Sequence, residues 1–412
     1  MREVVTLQVG GFANFVGSHF WNFQDELLGL ADDPGADPVF RNAALDMDVL
    51  YRAGETQQVG VATYCPRLVS VGSRGSLGSL SSSGTLGSSS AAAGHPNILT
   101  WQGIQFIVDD SGGFSSVAAQ YLENIADDYT NTPFPFNLAF AGYLSPLLSI
   151  KDEKYFHSSA IFAAAIHSLS VPFRLQHVGP SSELAHSSGN LDIGELMHML
   201  SDQGRQNMVT ALDVAMPAPS LTDRTDLRNI QRSLLCLTPE ISDEDEDPYA
   251  VESLVFHGAL GAGGQRASIS QVKDTVCSAL EGRATKPKFS HLSVSPCPLP
   301  VPLPFPSIFS SSIGQHGEIL SNDHAEGTRR KGSLDVVSVP MAARLRSSNT
   351  IVPFIERRST SLQRLGMARG ALGSQVLRDW GFGREEVEDM GEHLAKMLRP
   401  FYSEMDLTSD SD

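Results

Sequence analysis

Cysteine is scarce in this 412-residue chain: Cys65, Cys236, Cys277 and Cys297 stand far apart, with no C-x-x-C pair and no histidine at zinc-ligand spacing. That argues against a structural zinc site and suits a reducing, cytosol-facing compartment in which each thiol is structural. Charge is thin as well, 19% of residues against a usual ~25%. Bases are the scarcer sign, 30 Lys and Arg against 47 Asp and Glu, for a net −17. A long phosphate backbone would be repelled, so nucleic acid is not an expected partner. No window reaches 18 apolar residues, and the opening carries Glu3 and runs directly into an alternating strand. Neither a signal peptide nor a spanning segment is expected, which leaves peripheral membrane association open. Catalytic signatures are missing too. There is no G-x-x-x-x-G-K-[ST], no G-x-S-x-G and no H-E-x-x-H, and His157, His167, His177, His186 and His198 have no recurring partner. Hydrolase and metalloenzyme readings therefore have no anchor.

What is present reads as α/β. Residues 3–9 form a strand that Gly10-Gly11 ends before a helix over 11–28. A second such unit has a strand at 104–108, a turn through Asp109-Asp110-Ser111-Gly112-Gly113, and a helix from about Ser115 to Tyr129. Further on come a helix at 156–169, an extended Val171-Pro172-Phe173-Arg174-Leu175, a helix at 191–201 and a strand at 207–214. This alternation predicts strands 3–9, 104–108 and 207–214 in one mostly parallel sheet with helices on its faces. Five segments follow: 1–71; a flexible Gly/Ser/Ala-rich linker at 72–100; a domain at 101–216; a C-terminal region at 217–399; and an acidic tail at 400–412. The C-terminal region holds an acidic loop from Glu240 to Asp247 and a proline-rich connector from Pro296 to Pro306. Its basic stretch at 323–370 includes Arg329, Arg330, Lys331, Arg344, Arg346, Arg357 and Arg358 and reads as a solvated segment or a contact for anionic lipid, ahead of an amphipathic helix at 384–398.

The two glycine turns are the candidate binding sites. A strand-to-helix turn can hold a phosphate on backbone N–H groups at the positive end of the helix, and tight strand-to-helix packing explains the same glycines. The candidate nucleotide-binding residues are Gly10, Gly11 and Asn14 in the first turn, and Gly112, Gly113 and Ser115 in the second. Phe12 and Phe114 place large rings in both loops.

The opening Met1-Arg2-Glu3, with Gln8, Gly10, Asn14, Gly17, Phe20-Trp21 and Glu26, resembles the start of a tubulin. With Asp48-Val49-Leu50-Tyr51-Arg52, Thr63-Tyr64, Pro66-Arg67-Leu68, Trp101-Gln102-Gly103, Gly113-Phe114-Ser115 and Val171-Pro172-Phe173-Arg174-Leu175, the pattern is similar to the Misato family of tubulin-related proteins. The resemblance covers 1–71 and 101–214. It implies a tubulin-like, Rossmann-like sheet with helices on both faces, followed by an irregular α+β C-terminal region. Gly11 and Phe12, and Gly113 and Phe114, depart from the tubulin loops, so GTP is a possible ligand of degenerate loops and no catalytic residue or metal site is assigned. Gly103 abuts Ile104 where the family carries an insert, and a second stretch is missing near Phe140 to Ser149, which implies a shortened form.

The family implies regulation of mitochondrial distribution, morphology and fusion. It also implies residence in the cytoplasm and, peripherally, at the mitochondrial outer membrane, with outer-membrane or cytoskeletal proteins as partners. No enzymatic turnover is expected from degenerate loops. Two other readings stand beside this one: an assembling, GTP-binding tubulin-like GTPase, and a peripheral lipid-binding adaptor using the basic segment.

Overall fold

In a computed structural model the structure describes residues 3–55, 62–73, 101–109, 112–128, 134–136, 147–151, 154–176, 189–201, 209–221, 230, 232–238, 241, 247–283, 285–320, 335–368, 372–379 and 382–409. Most of the 72–100 linker, most of the Glu240–Asp247 run, and Arg329, Arg330 and Lys331 lie outside them.

The N-terminal sheet is parallel throughout. Strand β1 (Glu3–Val9) leads into helix α1 (Gly11–Asp32), then the short α2 (Pro38–Arg41) and the hairpin β2 (Tyr51–Glu55) and β3 (Ala62–Pro66). Next come β4 (Leu68–Val71), β5 (Trp101–Val108), α3 (Gly113–Asp128) and β6 (Phe134–Phe136), and the sheet order is β4-β1-β5-β6. Alternate residues separate two faces, because side chains in a strand point to opposite sides with period two. Val4 and Ile107 join the core that α1 supplies with Ala13, Val16, Phe20, Trp21 and Phe23. Val9, Phe106 and Val108 pack against Ala118 of α3. The sheet is thus covered on both faces, as an all-parallel sheet requires. Strand β5 runs unbroken across Gly103 and Ile104, and the irregularity in its register with β1 is confined to its first residues.

The expectation for 207–214 is corrected. Strand β7 (Ala211–Ala215) lies in a second, mixed sheet of order β10-β9-β13-β7-β8. This sheet is built from β8 (Leu235–Cys236), β9 (Val251–His257), β10 (Phe289–Ser295) and β13 (Met341–Ser347). Strand β7 pairs antiparallel with β13, far along the chain, and places Asp213 beside Arg344. That ion pair measures 2.7 Å and is buried. Within the basic stretch, residues 341–347 are therefore a central strand on which Arg344 is paired across the ladder, while Arg357 and Arg358 are exposed on the helix that follows. Arg344 and Arg346 are both buried and unavailable to lipid.

Helix α4 (Tyr155–Arg174) lies between the two sheets, packing on α1 and on β9 and β13. It is buried from Ser158 to Arg174, with Ile161, Phe162, Ile166 and Leu169 in the shared core and His167, Ser168 and Arg174 buried as well. It carries Pro172 in its last turn, so the extended reading of 171–175 is corrected to helix as far as Arg174. Valine before proline favours an extended backbone, but burial on every side overrides that local preference. Helix α5 (Ile193–Leu200) opens with a capping box, Asp192 and Glu195 each accepting the other's backbone N–H. One hydrophobic cluster extends from Val4 through α1 and α4 to Leu212, Val251 and Leu345, so residues on both sides of position 217 share a core.

The proline-rich stretch is part of that interior. Strand β11 (Leu299–Pro300) pairs with β12 (Ser338–Val339), and Cys297, Leu299 and Phe305 are buried. Helix α6 (Ile269–Glu281) covers the outer face of the second sheet with Val272 and Val276. At the C-terminal end, α7 (Val352–Leu362), α8 (Leu372–Asp379) and α9 (Arg384–Ser409) follow. Helix α9 runs past the expected 384–398 into the acidic tail, and its Leu398 and Phe401 pack against Ile351 and Ile355. No helix among the described residues is long and apolar enough to cross a membrane.

Candidate functional site

Strands β1 and β5 are parallel neighbours, so the turns that follow them emerge side by side at the carboxyl end of the sheet. In open α/β sheets this is where ligands bind. The structure brings the two candidate turns together, and the side chain that joins them is Asp109, at the exit of β5.

Gly10 ends β1 with φ +122°, a backbone that L side chains avoid. A Cβ there would fall on the Asp109 carboxyl group. Gly10 has no side chain with which to cap α1. Instead, the Asp109 carboxylate accepts from the backbone N–H of Phe12 (Oδ2, 3.2 Å) and of Ala13 (Oδ1, 2.7 Å). Asp109 is itself held by its own N–H, which donates to the Val9 carbonyl at 2.9 Å. The first N–H groups of a helix have no intrahelical acceptor and lie at the positive end of its dipole, so they take an anion readily. Here the anion comes from the chain itself.

Other polar groups of the first turn are engaged as well. Gly10 N–H donates to the Val71 carbonyl at 3.0 Å. Asn14 is buried, its Nδ2 donating to Val71 O at 3.2 Å and its Oδ1 accepting from Ser70 Oγ at 2.8 Å. Asn14 thus ties α1 to the end of β4. Gly11 is exposed with open space around it. The Phe12 ring is turned toward α4, edge-on to Tyr155 and Phe162 with centroids 5.5 and 5.8 Å away. Phe114 packs on the cluster of Val9, Phe106 and Ala118. The rings read as obstructions in the loops are core contacts, and the group that closes the first turn is a carboxylate.

The second turn is looser. Gly112 has φ +82°, and a Cβ on it or on Gly113 would meet nothing. The Gly112 carbonyl accepts from Ser115 N–H at 3.2 Å and from Ser115 Oγ at 2.6 Å, so the serine hydroxyl is bonded within its own turn. Asp110 and Ser111 lie outside the described residues.

Sequence reasoning missed a buried polar cluster beneath α4. Gln24 Nε2 donates to His167 Nδ1 at 2.9 Å, His257 Nδ1 lies 3.1 Å from the Cys297 carbonyl, and Ser168 Oγ lies 2.9 Å from His257 Nε2. Burial disfavours charge on each ring, holding His257 down to about 4 and His167 well below its usual value. Burial likewise pushes Cys297 up to about 12, leaving its thiol protonated and unreactive. Arg174, fully buried, is lowered to about 10, and its NH1 donates to Ser170 Oγ at 3.2 Å. Among the described residues no three His, Cys, Asp or Glu side chains converge to hold a metal.

With this geometry in place, residues 2–122 match the family model for the Misato Segment II tubulin-like domain. Over those residues the chain is similar to a Misato-type tubulin-like domain. The human "Protein misato homolog 1" is 51% identical over 78 residues, which is 19% of this chain and 13% of that protein. The Danio rerio "Protein misato homolog 1" is 37% identical over 125 residues, 30% of this chain and 19% of that one. "Protein misato" of Drosophila melanogaster is 40% identical over 77 residues, again 19% and 13%. The chain thus matches between about an eighth and a fifth of these relatives' own lengths, and this partial coverage fits a shortened form. The Misato-matched region contains β1, α1, β4, β5 and the start of α3, so both glycine turns fall inside it.

Proposed function

We propose that this chain acts in mitochondrial distribution, morphology and fusion as a tubulin-like protein that does not turn over GTP. The Misato match supports the cellular destination. The observation that carries the non-hydrolytic part is the engagement of the first turn: Gly10 N–H, Asn14 and the N–H groups of Phe12 and Ala13 all have partners within the chain. A phosphate placed there would have to displace bonds already made, and no residue of the turn is left to orient an attacking water.

Attachment to the cytosolic surface of mitochondria is peripheral in this reading, and proteins are the main partners. The basic-segment alternative is weakened because Arg344 and Arg346 are buried. At a net charge of −17, long-range attraction to an anionic membrane is opposed as well. Depletion followed by imaging of the mitochondrial network tests the reading. Clustered or fragmented mitochondria are expected, and a normal network overturns it. Release of the protein from mitochondrial fractions by high salt or carbonate is the expected mark of peripheral attachment, and retention through carbonate would overturn that part. Purified full chain should show no GTP hydrolysis above background. Turnover that Asn14→Ala abolishes would contradict the non-hydrolytic assignment.

A further inference from the structure

We propose that Asp109 is a built-in occupant of the first turn, an intramolecular carboxylate seated where an oxyanion ligand would bind, so that this loop is ordered and closed without nucleotide. The inference rests on reading the first turn as a relic nucleotide loop, and it names what now regulates that site.

Three observations meet at this carboxylate. It arrives from β5, a different strand from the one that feeds the turn, and its two oxygens engage two successive N–H groups, at 3.2 and 2.7 Å. The backbone on both sides is adapted to it: Gly10 adopts φ +122° and leaves no room for a Cβ against Asp109, while Asp109 N–H is fixed on Val9 O at 2.9 Å. Finally, Asn14, the polar side chain nearest the turn, faces away from the N–H pair toward Val71 and Ser70. A ligand phosphate and the Asp109 carboxylate would compete for the same two donors, and the tethered group has the advantage of its effective concentration. Removing the carboxylate leaves two N–H donors at the positive end of a 22-residue helix without an anion.

The test compares the full chain with its Asp109→Ala variant, melted with excess inorganic phosphate, excess GDP, or chloride at matched ionic strength. Phosphate and GDP are expected to raise the variant's melting temperature by about 2 °C or more and to leave the unaltered chain unmoved. A shift from phosphate alone identifies a general oxyanion site, and a larger shift from GDP identifies a retained nucleotide site. Equal shifts in both proteins, or no shift in the variant, overturn the proposal. If Asp109→Ala does not fold, Asp109→Asn is read by amide hydrogen exchange. Its single acceptor oxygen should leave one of the Phe12 and Ala13 amides exchanging at least about tenfold faster than in the unaltered chain. Unchanged protection of both amides would overturn the proposal. Normal mitochondria in depleted cells would overturn the cellular role and leave this result intact, so the two failures are distinguishable.

Discussion

The two glycine turns share one sequence signature and one place in the fold, yet they are built differently. The first is closed: a carboxylate from β5, an asparagine bridge to β4 and a glycine at φ +122° interlock three segments. The second is open: Gly112 and Gly113 have free space, and Ser115 bonds only within its own turn. Glycines after a strand therefore mark where a loop begins. What the loop can bind is decided by groups that arrive from elsewhere in the chain.

Substitution at the paired glycines should break the comparison most visibly. Gly10→Ala combines a backbone that L residues avoid with a collision against Asp109, and should cost about 3 kcal/mol or more in denaturant unfolding. Gly112→Ala has the same kind of backbone and no collision, and should cost only about 1 kcal/mol. Equal costs would remove the distinction between the turns.

Acid should act on buried histidines that lie outside both turns. His257 is held at about 4 in the fold against 6.5 for an ordinary histidine. Between those values the unfolded chain binds a proton that the folded chain refuses, so stability falls as pH drops through that window. For His257 alone the loss amounts to about 3 kcal/mol by pH 4. His167 is shifted in the same direction, while Arg174, Tyr51 and the protonated Cys297 remain unchanged across this window. Unfolding midpoints measured from pH 7 to pH 4 check this, and a flat profile would contradict it.

Smaller effects sharpen the contrast. Asn14→Ala deletes two hydrogen bonds, taking the acceptor from Ser70 Oγ and leaving the Val71 carbonyl with the Gly10 N–H, for about 2 kcal/mol. Ser115→Ala removes one local bond at a half-exposed position, for about 0.5 kcal/mol. The same denaturation series ranks them, and a Ser115 cost above that of Asn14 would reverse the assignment of closed and open.

Much of the N-terminal half is legible in the amino-acid sequence. Strand 3–9, the helix after Gly10-Gly11, the strand ending at Val108 and the helix after Gly113 all carry local signals, a period or a glycine break, and each element forms at those positions. The amphipathic face of Val387, Met390, Leu394 and Met397 is legible for the same reason, since periodicity reports burial. Strand β7 is legible as a strand and not as a member of its sheet. Its partner, β13, lies more than a hundred residues away and carries Arg344 and Arg346, whose charge gives no local sign of burial. Asp109 is visible only as one of two acids in a turn. That it reaches across to the helix of the other unit follows from the parallel register of β1 and β5, which spacing along one chain does not encode.

The account stands most directly on whether the first turn is already occupied. Titrating nucleotide-free full chain with GTP, while following the amide signals of Phe12 and Ala13, measures this without any substitution. The account predicts that both signals stay in place and both amides stay protected at saturating GTP. Saturable movement of those two signals, abolished by Asn14→Ala, would show that nucleotide enters the turn and would contradict the claim that Asp109 fills it.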